Sequence, residues 1–118
     1  MSGTVGKGFD PNNPSTWGKR PDGSQKGAGY FGVLKRPDGN VSTEISIGVG
    51  LGGKEMDIPL IVPTLTKSEL NKLLSMPLGK NFNPPESIIK KAVDHARMRI
   101  DQGKSPFAAP GEQMEMPK

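Results

Sequence analysis

The chain has a single histidine, His95, and histidine is the side chain best suited to proton transfer or metal binding near neutral pH. Its neighbour Asp94 would point away from it on a helix, so the two residues do not form a site together. The sequence contains no HExxH motif, no nucleophile elbow and no phosphate-binding P-loop. We therefore interpret His95 as a helix-surface residue and predict that the protein is not an enzyme.

Three carboxylates, Glu44, Glu55 and Asp57, fall on one predicted face of a β-hairpin. Side by side they could bind a cation or act as an acid–base pair, but solvated strand residues are the ordinary explanation. The chain has no cysteine, which excludes disulfides and thiolate metal sites. We therefore predict no catalytic residue, no metal ligand and no cofactor.

The glycines in GVGLGG, residues 48–53, resemble a dinucleotide-binding loop only superficially. The last glycine of that fingerprint is missing, and the glycines lie within and at the end of a predicted strand instead of before a helix. Gly48 and Gly50 leave two alternatives open. They form a flat strip on the sheet face that accepts the N-terminal arm or a partner, or they mark a bulge or local twist.

A β-hairpin must position these residues. Apolar and β-branched side chains alternate over residues 41–51, which is typical of a strand with one buried face. Gly52 and Gly53 predict a two-residue turn. Counting outward from this turn pairs Ile47 with Ile58, and a slip of one residue would lose the match between apolar side chains.

An earlier strand completes the predicted sheet. The segment RPDG at residues 36–39 predicts a type I turn before the hairpin, and the register extends to a pair between Thr43 and Val62. The opposite, exposed face is predicted to carry Ser42, Glu44 and Ser46. The predicted fold class is therefore α+β: a three-stranded antiparallel β-meander packed by two C-terminal helices.

Both helices have recognisable ends in the sequence. Thr66 and Glu69 predict a capping box before a helix over residues 67–75. A second helix is predicted with Asn83 as its N-cap and Gly103 as its stop. Its predicted buried side consists of apolar residues at helical spacing: Ile89, Ala92, Val93, Ala96 and Ile100.

The ends of the chain show no regular period. Residues 1–29 are predicted to form an extended N-terminal arm, residues 30–103 a small α+β domain, and residues 104–118 a short, flexible and irregular C-terminal tail. Glycine and proline supply 28 of the 118 residues, so the core must be small. We therefore expect neighbouring subunits to hold the arm. The candidate partner-binding residues are Trp17, Lys19, Arg20 and Tyr30.

The pentapeptide KRPDG occurs twice, at residues 19–23 and 35–39. Both copies predict the same local bend, because proline and glycine occupy the positions that a type I turn prefers. We expect the second copy to close a hairpin. The first copy has no strand pair around it in the sequence, so we expect it to redirect the arm.

The net charge is +4, and residues 63–103 contribute seven basic and four acidic side chains. Lys90, Lys91, Arg97 and Arg99 on the second helix are candidate contacts to an acidic partner or to a nucleic-acid backbone. The alternative is an ordinary solvated helix face. No stretch approaches the roughly 18 apolar residues of a membrane span.

The string KRPDGNVSTEISIGVGLGGKEMDIPLIVPTLT, followed by AVDHARMRIDQGKSPFA, resembles a family of small proteins and protein segments encoded by tailed bacteriophages. The shared pattern is PDG, then TE with GV, then GKE and LVPTLT, and finally a helix with HA and RI that ends in GKSPF. The resemblance covers about Lys19 to Ala108. It implies a phage setting and a virion-associated role, and it carries no catalytic residues.

These features together predict a non-enzymatic bacteriophage structural protein: a minor capsid, tail or internal virion component held to larger subunits through its arm. Its expected partners are other virion proteins, including copies of itself. Its expected location is the virion and, during assembly, the host cytoplasm. The alternative is a small phage-encoded protein that binds nucleic acid or inhibits a host enzyme.

Overall fold

Two short antiparallel sheets and two α-helices give the chain an α+β fold. The computed structural model describes residues 13, 17–20, 23–37, 39, 41–76, 82–109 and 111–117. Within this part of the chain the elements are, in order, β1 (Leu34–Lys35), β2 (Val41–Ser42), β3 (Ser46–Leu51), β4 (Lys54–Pro59), α1 (Lys67–Ser75) and α2 (Glu86–Asp101). None of the described helices has the length and apolar character needed to cross a membrane.

The β3–β4 hairpin has the predicted register. Ile47 lies opposite Ile58, and the turn at Gly52 and Gly53 uses positive φ angles of 57° and 81°. Only glycine adopts such angles without strain, so two adjacent glycines suit this turn. The ladder is continuous from Ser46 to Leu51, so the alternative of a bulge at the strand glycines is wrong.

The predicted three-stranded meander is not confirmed, because β1–β2 and β3–β4 form two separate two-stranded sheets. The chain leaves the ladder between them at Thr43, where Gly29 of the arm lies against the backbone. A Cβ atom on Gly29 would come within 2.0 Å of the Thr43 carbonyl oxygen. Gly29 of the arm therefore lies in close contact with the Thr43 backbone, and the predicted pair between Thr43 and Val62 is not part of the ladder.

The same break buries residues that were expected to be exposed. Ser42, Glu44 and Ser46 are all buried, and the side chain of Glu44 lies inside the molecule. The prediction of an exposed polar sheet face at these three positions is therefore wrong. The alternation rule fails here because the strand ends and the chain is covered on both sides.

The second KRPDG copy closes the β1–β2 hairpin as predicted. The Gly39 amide donates to the Arg36 carbonyl at 3.1 Å, and Leu34 pairs with Ser42 across the turn. The buried Arg36 guanidinium also donates to the Met76 carbonyl at 2.5 Å, just after α1. This turn is therefore fastened to the helical part of the chain.

The first KRPDG copy makes the same turn, because the Gly23 amide donates to the Arg20 carbonyl at 2.9 Å. Lys19 and Gln25 form an antiparallel bridge around it, and the Lys26 amide donates to the Gly18 carbonyl at 3.0 Å. The expectation that no paired segments flank this copy is therefore wrong. Both copies close small hairpins.

The helices pack on one apolar core whose fully buried members include Ile45, Ile58, Leu73 and Ile88. Helix α1 begins with the predicted capping box: the Glu69 amide donates to Thr66 Oγ1 at 3.1 Å, and the Thr66 amide donates to Glu69 Oε1 at 2.9 Å. Such reciprocal bonds satisfy two amides that the first turn leaves unpaired.

Helix α2 differs from its prediction at both its start and its buried face. Its N-cap is Pro85, without a side-chain cap bond, so the assignment of Asn83 as the cap is wrong. The two prolines after Asn83 delay the start of the helix by two residues. Ile100, expected in the buried stripe, is 40% exposed, whereas His95 and Arg99 face inward. The stop at Gly103 is confirmed by its φ of 74° and its bond to the Ile100 carbonyl.

Thr66→Ala removes the side-chain oxygen that accepts the bond from the Glu69 amide in the α1 capping box. We expect a loss of about 1 kcal/mol in the free energy of unfolding, measured by urea denaturation. Asn83→Ala is the matched control, because Asn83 makes no cap bond to α2. Its effect should stay below about 0.5 kcal/mol. Equal losses from the two changes would contradict the assigned helix starts.

Candidate functional site

The described arm residues 17–20 and 23–29 are fastened to the domain by a buried carboxylate. Glu44 is 2% exposed and receives two bonds from Arg20, Nε to Oε1 at 2.9 Å and Nη2 to Oε2 at 2.7 Å. The Gly27 amide donates a third bond at 3.0 Å. A buried carboxylate requires such partners, because losing water without them costs several kcal/mol. The chain itself therefore holds this part of the arm, which had been expected to need neighbouring subunits.

Arg99 fastens the described part of the tail, residues 104–109 and 111–117. Its guanidinium donates to the Ser105 carbonyl at 2.7 Å and to the Phe107 carbonyl at 2.9 Å. It also forms a two-bond fork with Glu112, each bond 2.8 Å long. The hydrogen bonds from Arg99, followed by that from the Ala109 amide, lower the pKa of Glu112 to about 2. Glu112 therefore stays ionised and holds the tail against α2.

Tyr30 and His95 form a buried polar pair between these two attachments. The Tyr30 hydroxyl donates to the Pro106 carbonyl at 2.7 Å, and His95 Nε2 lies 2.8 Å from the same hydroxyl oxygen. Since the hydroxyl has one hydrogen, His95 Nε2 must carry the proton of this second bond. Burial, followed by the charge of Arg99, lowers the pKa of His95, and burial raises the pKa of Tyr30 to about 12. Both groups are therefore neutral near pH 7.

The prediction that His95 is a surface residue is thus wrong, because it is only 8% exposed. Its ring stands edge-on to Tyr30, with ring centroids 5.0 Å apart. The Arg99 guanidinium lies 5.7 Å from the centre of the Tyr30 ring. His95 and Arg99, four residues apart, therefore face the same aromatic ring from one side of α2.

Arm and tail also contact each other directly. The Met114 amide donates to the Tyr30 carbonyl at 2.8 Å, and Gln113 Nε2 donates to the Gly29 carbonyl at 2.9 Å. The Arg20 guanidinium lies over the ring of Phe107, 4.3 Å from its centre. Phe107 is buried, so it anchors the start of the tail.

An open cleft of about 800 Å³ lies between these segments, and we call it the arm–tail cleft. One wall comes from the arm and the other from the end of α2 and the tail. Its lining combines aromatic rings, basic groups and small residues; the members used below are Trp17, Arg20, Lys26, Ala28, Arg99, Lys104, Phe107, Ala108 and Glu112. This cleft is the candidate functional site.

The arm residues proposed from sequence take different positions. Trp17 is buried and lines the cleft together with the half-buried Arg20. Tyr30 is buried behind it, and Lys19 is exposed. Three of the four residues thus serve contacts within the chain.

The strand glycines lie on the exposed β3–β4 hairpin, and the structure does not bring them to the cleft. A Cβ atom at Gly48 would lie 3.6 Å from Asp57 Oδ1, and one at Gly50 would lie 3.9 Å from Glu55 Oε1. These are ordinary contact distances. No described segment of this chain therefore requires glycine at either position.

The four basic residues predicted to form one exposed face of α2 differ in their ion pairs and in their exposure. Lys90 Nζ bonds Asp94 at 2.9 Å on the exposed side, and Lys91 Nζ bonds Glu69 of the α1 capping box at 2.5 Å. The bond from Lys91, followed by that from the Thr66 amide, lowers the pKa of Glu69 to about 2. Arg99 is buried, so the expectation of an exposed Arg99 is wrong. Arg97 is exposed and forms no ion pair with the described residues.

Sequence reasoning missed Glu44 and Glu112 as structural partners. No local signal identifies either residue, because Arg20 is 24 positions from Glu44 and Arg99 is 13 positions from Glu112. The spacing of His95 and Arg99 was a usable signal. Two polar residues on the same side of a helix as Ala92 and Ala96 indicate a polar network at the end of the core.

We expect Arg99→Met to lower the free energy of unfolding by about 2–3 kcal/mol, because it removes the charge partner of Glu112 and leaves two tail carbonyls unpaired. Arg97→Met is the matched control, with an expected change below about 0.5 kcal/mol. Urea denaturation followed by circular dichroism gives both values. If the two variants are equally stable, Arg99 does not fasten the tail.

Stability should also depend on pH through His95. Its pKa is lowered in the folded state, so the unfolded chain binds the proton more readily, and stability falls as pH drops below the ordinary value of about 6.5. Urea midpoints measured between pH 8 and 5 should show this fall in the native chain. His95→Gln, which keeps a donor but does not titrate, should show a flatter profile. Parallel profiles would contradict the assignment of a buried neutral His95.

Comparison with known proteins adds no assignment to this site. The chain matches no family model, no curated protein and no solved structure. The proposed function therefore depends on the residues and contacts of the chain itself.

Proposed function

We propose that this chain is a non-enzymatic structural component of a tailed-bacteriophage particle, as a minor capsid, tail or internal protein held to larger subunits through its arm. One observation carries the proposal. Two ion pairs at the candidate site, Arg20 with Glu44 and Arg99 with Glu112, fasten the arm and the tail to the domain. The fastened arm and tail together form a fixed surface on the domain.

The contacts of the polar groups support a structural role over catalysis. Both oxygens of Glu44 accept bonds from Arg20, and the Tyr30 hydroxyl bonds both Pro106 and His95. A catalytic acid or base must exchange a proton with a substrate, so it needs an accessible polar atom. These groups instead bond other parts of the same chain.

The segments that carry the phage resemblance also meet at this junction. Glu44 comes from the TE segment, His95 and Arg99 from the helix with HA and RI, and Phe107 from GKSPF. In the structure they lie within one connected set of contacts that fixes the arm and the tail. The resemblance is thus concentrated in residues that determine the path of the chain ends, as a structural component requires.

Exposed apolar side chains near these ends are candidates for contacts with larger subunits. The tail side chains of Met114 and Met116 are 47% and 55% exposed. The Met114 amide donates a hydrogen bond to the Tyr30 carbonyl, which keeps this part of the tail against the end of the arm. Methionine adapts to irregular partner surfaces, and clustered exposed apolar groups are typical of binding sites. We propose that the contact lies along this exposed part of the tail and that Lys19, which is exposed on the arm, contributes to it.

The alternative, a nucleic-acid-binding or host-enzyme-inhibiting protein, has less support. Three of the four basic residues proposed on α2, Lys90, Lys91 and Arg99, form ion pairs within the chain. Backbone binding to nucleic acid requires cations that are free to replace counterions. We therefore favour protein partners.

The test is the composition of purified phage particles. We expect mass spectrometry to detect this chain at constant stoichiometry across the particle peak of a density gradient, and to detect it again after a high-salt wash. Abundant host proteins provide the control, because the wash should remove them. Absence from particles, together with a monomeric free protein at micromolar concentration, would contradict the proposal.

A further inference from the structure

Lys26 is the unusual residue of the arm–tail cleft. It lines the cleft and is only 3% exposed, and its side chain forms no hydrogen bond or ion pair with the described residues. Burial lowers its pKa, and the nearby charge of Glu44 opposes that change. Lys26 Nζ is not among the described polar atoms that are fully buried without a partner, so the ammonium group keeps some contact with the open cleft. A poorly hydrated ammonium group without a direct partner would gain from an anion supplied by a ligand.

The two arginines lining the cleft are already balanced. Arg20 is paired with Glu44, and Arg99 is paired with Glu112. Lys26 is therefore the one buried cation among the described lining residues that lacks a direct partner. Its single positive charge matches a monoanion. A phosphate dianion would bring a second negative charge that Lys26 does not balance, so the charge balance favours a carboxylate.

The remaining lining residues determine which chemical groups the ligand carries besides its negative charge. Trp17 and Phe107 are both buried side chains that contribute ring surface, and Ala28 and Ala108 leave space between the two walls. A site that combines a few polar groups with apolar and aromatic walls is typical of pockets for small organic ligands. Lys104, the other lysine of the lining, is exposed.

We propose that the arm–tail cleft binds a carboxylate attached to an apolar body, with Lys26 Nζ bonding the carboxylate and Trp17 and Phe107 contacting the apolar part. The ligand is a free organic acid or an acidic side chain beside an apolar one in a peptide. Binding would join the arm to the tail through a third component. This proposal does not depend on the phage assignment.

Trp17 provides the measurement, because it is the only tryptophan of the chain and it lines the cleft. Titration with 3-phenylpropionate should shift the tryptophan emission and saturate in the millimolar range or below. The neutral amide of the same acid is the matched ligand control and should bind at least about tenfold more weakly. Inorganic phosphate should produce no saturable change. Equal binding of the acid and the amide would overturn the proposal. The absence of a saturable change with the acid up to 20 mM, about the upper limit for a weak specific site, would overturn it as well.

A pair of variants tests the role of Lys26. Lys26→Met keeps the length of the side chain and removes the charge, so we expect at least about a tenfold loss of affinity for 3-phenylpropionate. Lys90→Met changes a lysine outside the cleft and should leave the affinity unchanged. Unchanged affinity in Lys26→Met would overturn the assignment of Lys26.

Two further measurements keep the test decisive. If Lys26→Met does not fold, acetylation of the native chain followed by mass spectrometry replaces it: 3-phenylpropionate should protect Lys26 from the reagent and leave Lys90 labelled. Equal labelling of Lys26 with and without ligand would overturn the proposal.

A blocked dipeptide of aspartate and phenylalanine distinguishes the two sources of the carboxylate. Tighter binding of the dipeptide than of the free acid supports a protein partner, and the reverse supports a small organic acid.

Discussion

The guanidinium group of Arg99 is the interaction on which the arrangement of both chain ends depends. It binds two tail carbonyls and Glu112 at once, and so fixes the path of the chain after α2. That path places Phe107 beneath the guanidinium of Arg20. Arg20 in turn holds Glu44, at the point where the strands separate. One buried arginine on α2 therefore positions the tail, and the tail completes the surroundings of the arm.

Directional polar bonds take this role because the ends of the chain are poor in apolar residues, and their described residues, 17–20, 23–29, 104–109 and 111–117, belong to none of the six helices and strands. An irregular backbone segment exposes carbonyl and amide groups that a helix or sheet would pair internally, and these groups must find partners when they are buried. Arginine suits this need, since its planar group supplies several donors in fixed directions. Arg20 and Arg36 show the same use within the two KRPDG turns, where the backbone closes the turn and the side chain bonds a distant segment. Paired buried charges of this kind contribute more to a defined arrangement than to net stability.

The sequence could predict whatever depends on neighbouring residues. The register of the β3–β4 hairpin followed from Gly52 and Gly53, and the start of α1 followed from Thr66, because turn and cap preferences act over a few positions. The separation of the two sheets and the close approach of Gly29 to the Thr43 backbone were not predicted, because no strand pattern contains this contact between distant positions. The inward positions of His95 and Arg99 were missed for the same reason. These two polar side chains can be buried only because distant groups complete their hydrogen bonds. A rule based on apolar periodicity does not include those groups, and it therefore predicts Ile100 on the buried face instead.

The bond from Gln113 to Gly29 joins residues 84 positions apart and has a consequence for the order of folding. During synthesis the hairpins and α1 are complete long before the tail leaves the ribosome, whereas the arm is made first and its final contacts are made last. Contacts over such sequence separations close slowly, because the chain loses the entropy of a large loop before it gains the bond. The bonds of the arm to Glu44 can therefore form earlier than its bonds to Gln113 and Met114. The arm reaches its final arrangement only when the tail residues that bind it have been added.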